Sequence, residues 1–316
     1  AEAFKQYTRK TSVTEYNGKI IDEKFLALIN PAIIKFKPEA KKAFEDAVES
    51  IGGYVSGELK IEKLSKDKCY GIQDKDQIMD FLQHAVDAPL PYIALDSETS
   101  ALYCRDGYML GFSMSYEPDH GIYCDADVID EDVEAKMQEL FNKKTVVFHN
   151  AKFDLQWFIY HFNFEFPNFE DTMLMHYMFD ENPGTHGLKQ LAMNHTPYGD
   201  YEKPLEDWGI EYRRKHGILK EAFSYDLIPF DVMKDYAAMD AVVTFLLYEK
   251  MRAAIEKNSR LLWVYENILL EGCNFLRQVE NNGVPFDRAR LEFAQGVMQE
   301  DIEKAVAELY EFPEVR

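Results

Sequence analysis

Tyr92-Ile93-Ala94-Leu95-Asp96-Ser97-Glu98-Thr99 decides the fold of this chain. Tyr92 to Leu95 form an apolar run of strand character, and the polar residues after them read as a buried strand ending at a sheet edge. Side chains two apart on a strand project to the same side, so Asp96 and Glu98 share a face. Two carboxylates so placed repel and raise each other's pKa unless a cation lies between them. Oxygen-rich sites of this kind suit Mg²⁺ or Mn²⁺. Taken alone, the pair also reads as two solvated turn residues at a strand end.

Working outward, the pattern is α/β from about residue 59. Residues 68–72 predict a strand, and 74–86 a helix with Ile78, Phe81, Leu82 and Val86 inward. Residues 108–116 and 121–124 alternate like antiparallel strands around Pro118-Asp119-His120. Residues 130–142 predict a helix burying Val133, Met137, Leu140 and Phe141. Its acids Asp130, Glu131, Asp132 and Glu134 suit a helix N-terminus better than a metal cluster. Residues 145–148 read as a second buried strand with a helix after it to about 162, and 171–179 and 187–195 as short helices. Residues 196–230, punctuated by Pro197, Gly199, Pro204, Gly209, Gly217 and Pro229, read as irregular and carry the best basic cluster, Arg213, Arg214, Lys215 and Lys220. Asp231 then caps a long helix to about 257. Upstream, residues 1–58 are dense in Lys and Glu. Within them 37–50 reads as an amphipathic helix with Ala40, Phe44, Val48 and Ile51 on one stripe, closed by Gly52-Gly53. Docking and plain packing are both open for that segment.

Length and composition bound the class. A chain of 316 residues allows about two domains, and 47% apolar with 14% aromatic residues excludes a disordered or fibrous protein. Neither a membrane-length apolar run nor a signal-peptide pattern is visible. Cys69, Cys104, Cys124 and Cys273 are scattered, which suits a reducing, cytoplasmic compartment and argues against structural zinc. His149, His176, His186 and His195 have no usable ligand spacing and read as structural. The formal net charge of −21 repels polyanions and excludes a general DNA-coating protein. It leaves open an enzyme that takes only a strand end, with cations or a partner offsetting the charge.

Three segments carry the chemistry. Asp96-x-Glu98 follows one strand, and Asn150-x-x-Phe153-Asp154 follows another where a helix begins. Tyr236-x-x-x-Asp240 lies within a helix, where one turn puts phenol and carboxylate on the same face. Ala237, Ala238 and Ala241 let that helix lie close to a neighbour. An Asp among Met239, Ala241, Val242 and Val243 is costly to bury without a partner or metal.

In this order, the three segments resemble the motifs of the DnaQ-like 3′–5′ exonucleases, in the branch whose third motif carries tyrosine. The histidine branch places His five residues before the last Asp, where this chain has Asp235. Asp96-Ser97-Glu98-Thr99-Ser100-Ala101-Leu102 and Gly187-Leu188-Lys189-Gln190-Leu191-Ala192 further resemble the proofreading domain of family A DNA polymerases. Val279-Glu280-Asn281-Asn282-Gly283-Val284-Pro285-Phe286-Asp287 resembles the opening of their polymerase domain, on the way to the thumb. The resemblance covers roughly residues 59–316.

It implies an RNase H-like mixed sheet flanked by helices, with an exonuclease domain at 59–257 and a helical polymerase beginning at 258–316; it leaves residues 1–58 unexplained, and their own composition reads as an accessory, partly helical segment. It implies two divalent cations, Mg²⁺ or Mn²⁺. Asp96, Glu98 and Asp240 would hold one, with Asp96 bridging to a second that Asp154 reaches through water. Tyr236 would orient the attacking water, since a phenol with a pKa near ~10 is a poor general base at neutral pH. Thr99 would offer its backbone N–H to the terminal nucleotide, with Leu102 wedged beside the last base and Phe153 packed on sugar or base. Ordinary core packing is the other reading of Leu102 and Phe153. Asn150 would bind the penultimate phosphate or cap its helix. Lys152, Lys189 and the Arg213–Lys220 cluster are candidate backbone contacts. The implied partners are a single-stranded DNA 3′ end or frayed primer terminus and a polymerase domain or separate polymerase subunit, with no membrane, in a phage-like setting inside the host cytoplasm. The sequence ends where the family continues into thumb, palm and fingers. The expectation is therefore no polymerisation by this chain, as part of a longer polymerase or the first half of a split one. The competing readings are an RNA-trimming nuclease with the same acids and an idle scaffold that docks a partner.

Overall fold

A computed structural model of the chain describes residues 20–21, 25–26, 28, 30–36, 40–56, 68–199 and 201–312. They divide between two compact units, Ala1–Cys273 and Asn274–Arg316.

In the first unit a short antiparallel pair, Ile20–Ile21 with Phe25–Leu26, precedes helix α1 (Ala40–Val55). This helix runs through Gly52-Gly53, which do not close it. Its face is also rotated from the expected stripe: Ala47 is buried while Val48 is 47% exposed.

The main sheet has six strands: β1 (Cys69–Ile72), β2 (Tyr92–Thr99), β3 (Met109–Glu117), β4 (His120–Asp125), β5 (Thr145–Phe148) and β6 (Phe169–Asp171). Their spatial order is β1-β4-β3-β2-β5-β6. β3 runs antiparallel to β2 and β4, while β1–β4, β2–β5 and β5–β6 are parallel pairs. The strand that opens the sequence reading is therefore interior, and it continues through both carboxylates to Thr99 rather than stopping at Leu95.

Among the described residues three helices cover one face: α2 (Lys75–Asp87), α3 (Glu131–Lys143) and α4 (Ala151–Phe162). They bury Ile78, Phe81 and Leu82, then Val133, Met137, Leu140 and Phe141, then Trp157 and Phe158 against Ile93, Leu95, Phe112 and Phe148 of the sheet. Asp130 caps α3, accepting from Asp132 and Val133 N–H, and Lys75 spans Asp130 and Asp132, so the acidic run is a helix start as its sequence suggests.

On the other face lie α5 (Thr172–Tyr177), α6 (Leu188–His195), α7 (Lys203–His216) and the long α8 (Phe230–Ile255). The core here joins Cys69, Tyr123 and Val147 to Ala237, Ala238, Val242 and Leu247. α8 comes so close that a Cβ on Gly121 would stand 2.4 Å from the Ala238 carbonyl oxygen, which is why β4 carries glycine there. α7 replaces much of the stretch expected to be irregular. Pro204 sits in its first turn and Gly217, at φ 67°, ends it, so the residues read as breakers are its punctuation. Pro229 rather than Asp231 precedes α8, with Asp231 one residue inside its first turn. After α8 come α9 (Ser259–Val264), a π-helical turn (Tyr265–Leu269) and α10 (Leu270–Asn282).

The second unit, taken by itself, is dominated by α11 (Arg288–Leu309), capped by Asp287 through the N–H groups of Ala289 and Arg290. Gly283, at φ 68°, makes the turn before it.

Candidate active site

The site grows from the alternation of β2. Ile93 and Leu95 face the α2–α4 core, while Tyr92 packs in the α8 core. The same parity turns Asp96 and Glu98 toward α8. There Asp240, one turn after Tyr236, meets them: one carboxylate oxygen from each of Asp96, Glu98 and Asp240 lies within 4.8 Å of the others. The pairing of β2 with β3 slips between Glu98 and Thr99, a bulge at the end of the acidic stretch. Ser97 faces the other way, where its N–H and hydroxyl donate to Asp154 Oδ1 at 2.9 and 2.6 Å. Asp154 stands on the first turn of α4, 2% exposed, within electrostatic reach of Asp96. All four predicted acids thus converge, three as a cluster and the fourth beside it.

Their charges conflict. Burial and then the neighbouring carboxylates hold Asp96 and Glu98 well above the ordinary acid range. Burial lifts Asp154 to about 7, opposed by the hydrogen bonds from Ser97. It lifts Asp240 to about 6, opposed by hydrogen bonds from Tyr201 and Tyr236 and by the charge of Lys189. Lys189 is itself engaged by buried Glu202 and by Glu206, so it stands beside the acids as part of an ion pair. Hard oxygen donors, clustered and mutually destabilised, fit a divalent cation.

The predicted substrate residues are placed less uniformly. Thr99 spends its hydroxyl on the Ala101 carbonyl at 2.9 Å. Leu102 is 69% exposed, so the core reading fails for it. Phe153 is half-buried against the α2–α4 core, with its ring 6.2 Å from Trp157. Asn150 does not cap α4 with its side chain; it adopts a left-handed backbone (φ 69°), and its N–H donates to Asp171 Oδ1 at 3.1 Å. Lys152 lies in the first turn of α4. Arg213, Arg214 and Lys215 crowd the last turn of α7, where cations complement the helix terminus, and Lys220 follows in a short 3₁₀ turn. The histidines, scattered in sequence, gather in space: His176 and His186 share a 2.8 Å hydrogen bond, the His195 ring lies tilted 6.1 Å from that of His176, and His149 bonds Thr172 at 2.8 Å.

Sequence reasoning missed four residues that shape the site. Tyr201 donates its phenol to Asp240. Tyr225 lies close enough for Glu98 and Asp240 to raise its pKa, after burial, to about 12. Asp171 ties the start of α4 to the start of α5, accepting from Asn150, Ala151, Met173 and Leu174 N–H at 3.1, 2.9, 2.8 and 3.3 Å. Tyr265, fully buried, accepts from Asp171 N–H and donates to Glu170. A tyrosine in a stretch read as irregular, or an Asp at the end of a strand too short to notice, gives no periodic signal.

Comparison with known proteins agrees with this geometry. A family model described as 3′–5′ exonuclease matches residues 69–256, and the chain belongs to that family, the exonuclease domain of family A DNA polymerases. Its fold is the RNase H-like α/β architecture of those nucleases, and its activity class is hydrolytic 3′–5′ exonuclease. Among relatives, a DNA polymerase of Escherichia phage T5 is 40% identical over 328 residues, spanning 100% of this chain and 38% of the phage protein. A DNA polymerase of Bacillus phage SP01 is 24% identical over 347 residues, spanning 99% of this chain and 37% of its own. This chain therefore spans well under half the length of the polymerases it matches. Escherichia coli RNase D, an exoribonuclease involved in structured RNA processing, is similar at a TM-score of 0.50 and 15% identity over 68% of this chain and 51% of its own, a likeness of fold. Among the described residues no helix is long and apolar enough to cross a membrane.

Proposed function

We propose that this exonuclease removes nucleotides from DNA 3′ ends as the proofreading part of a family A polymerase, releasing nucleoside 5′-monophosphates. The observation that carries the reading is the meeting of Asp96, Glu98 and Asp240 within 4.8 Å, with Asp154 adjoining. Asp96, Glu98 and Asp240 would hold one divalent ion, Mg²⁺ or Mn²⁺, and Asp96 with Asp154 would serve a second. Bound there, such ions neutralise the acids and stabilise both the attacking and leaving oxygens of an in-line displacement at phosphorus.

The chain's own residues supply position. Tyr236 orients the attacking water, and burial with the nearby acids keeps its phenol protonated, which suits a donor rather than a base. Leu102 offers an exposed apolar edge to the last base, Phe153 a half-buried ring, Thr99 a backbone N–H, and Asn150 a side chain left unused by its helix. The phage and bacterial DNA polymerases among the relatives support DNA as the substrate. The same kinship suggests a polymerase domain or subunit as partner and the cytoplasm of an infected cell as the place of action. We assign residues 59–257 to the nuclease, 258–316 to the approach to a polymerase domain and 1–58 to an accessory segment.

The test is incubation with Mg²⁺ and, separately, a 3′-mismatched primer on a template, a matched duplex and an RNA strand. Mononucleotide release from DNA that disappears in Asp96→Ala supports the proposal. Equal or faster RNA trimming assigns the same acids to RNA, and silence on all three substrates leaves only a scaffold.

A further inference from the structure

We propose that Tyr201 is a positioning residue that fixes the Asp240 carboxylate from outside the acidic cluster, leaving Tyr236 free for the attacking water. The inference rests on the nuclease reading above.

Tyr201 lies 39 positions before Asp240, yet its phenol donates to Asp240 Oδ1. Tyr236 hydrogen-bonds the same carboxylate, and the two rings stack with centroids 6.2 Å apart and planes 26° apart. A phenol has one proton to donate. Once Tyr236 turns its O–H to donate a hydrogen bond to a water, that hydrogen no longer orients Asp240. Tyr201 is then the donor that keeps the carboxylate aimed at Asp96 and Glu98.

Tyr201 is well held for this task. The next residue, Glu202, is buried, pairs with Lys189 of α6, and accepts from Leu205 and Glu206 N–H at 2.9 and 3.1 Å where α7 begins. The phenol is thus set against Asp240 by an anchored helix start and a stacked neighbour. Hydrogen-bonded partners behind a metal ligand fix its direction, and their loss typically lowers affinity about 10–100-fold.

The experiment uses the full chain and Mn²⁺ alone as probe, with binding read by calorimetry and by the rise in melting temperature on adding the ion. Tyr201→Phe keeps the ring and its stacking. It should weaken Mn²⁺ binding about 10–100-fold, with kcat recovering to within about threefold at saturating ion. Tyr236→Phe should bind Mn²⁺ as the wild type does and lose kcat that added ion does not restore. In an Asp240→Asn background, Tyr201→Phe should change binding no further, because the two act as a unit. Wild-type Mn²⁺ affinity in Tyr201→Phe overturns the inference while leaving the nuclease intact. So does an effect that persists undiminished in the Asp240→Asn background, since Tyr201 would then act elsewhere. If the melting temperature of metal-free Tyr201→Phe falls sharply, the double variant still decides, because a general loss of fold would add to the Asp240→Asn effect. A wild-type chain that binds no Mn²⁺ removes the nuclease reading itself, and this inference with it.

Discussion

Asp171 and Asp240 are both buried carboxylates in the same unit, 1% and 5% exposed, and their surroundings could hardly differ more. Asp171 receives four backbone N–H groups from two helix starts. Burial raises its pKa and those donors oppose the rise, so the charge is largely compensated by the chain itself. Asp240 shares its space with Asp96 and Glu98, and its compensation is two phenols and a lysine already paired elsewhere. A buried acid surrounded by N–H donors completes the fold. A buried acid facing other acids stores a conflict that an external cation can resolve. The contrast separates a compensated buried carboxylate from uncompensated ones without any appeal to kinship.

The comparison can be broken most directly at the cluster. Asp96→Asn should lower 3′–5′ degradation by roughly three orders of magnitude, the scale of several kcal/mol of lost charge stabilisation at phosphorus. The same change should raise the melting temperature of the metal-free chain, since it removes one of the repelling charges. A variant that is both active and unstabilised would place Asp96 outside the conflict. At the other pole, Asp171→Ala should cost about 3 kcal/mol of stability in urea unfolding, because two helix starts lose their cap and several N–H groups lose an acceptor. A loss below about 1 kcal/mol would mean that the clamp carries little of the structure.

The same contrast shows how far the sequence could be read. Strands and helices with clear periodicity, such as β5 at Thr145–Phe148 and the inward face of α3, emerge as their patterns predict. The four acids were legible because each stands at a fixed offset from a strand or a helical tyrosine. Asp171 is not, because it ends a three-residue strand and acts through backbone groups twenty residues away in sequence. Tyr201 is hidden for a related reason: it lies just before α7 in a stretch whose prolines and glycines read as irregular, although Pro204 and Gly217 sit at the two helix ends where such residues are favoured. Val48 and the Gly52-Gly53 pair of α1 mislead in the opposite way, since the helix runs on through the glycines to Val55 and leaves Val48 exposed. Contacts between periodic elements are legible, and contacts made by single residues across long separations are not.

A smaller and sharper test is titration. Asp154 and Asp240 are lifted to about 7 and about 6 in the folded chain, and Asp96 and Glu98 are raised as well, against roughly 4 for unfolded carboxylates. Between those values the folded state binds more protons than the unfolded one. The stability these groups contribute is therefore complete below about pH 4 and is lost as pH rises through 6 and 7. The metal-free melting temperature should fall across that window. Divalent ions require the deprotonated acids, so the gap between the Mn²⁺ and chelator curves should widen from about pH 5 to pH 8. A metal-free curve that is flat or rising over this range would remove the charge conflict.

The smallest effect belongs to Leu102, which tests whether the conflict is a site for a nucleotide or only for an ion. A leucine 69% exposed contributes little to the fold, so Leu102→Ala should shift stability by no more than about 0.5 kcal/mol. If its edge lies beside the terminal base, the truncation forfeits part of the ~1.5–3 kcal/mol gained by fully burying such a side chain. A loss near 1 kcal/mol corresponds to roughly a fivefold rise in KM. Because a leucine side chain offers no metal ligand, Mn²⁺ affinity should stay as it is. A change in KM with stability and ion binding both unmoved is what only a substrate contact produces, and an unchanged KM would return Leu102 to the ordinary exposed surface.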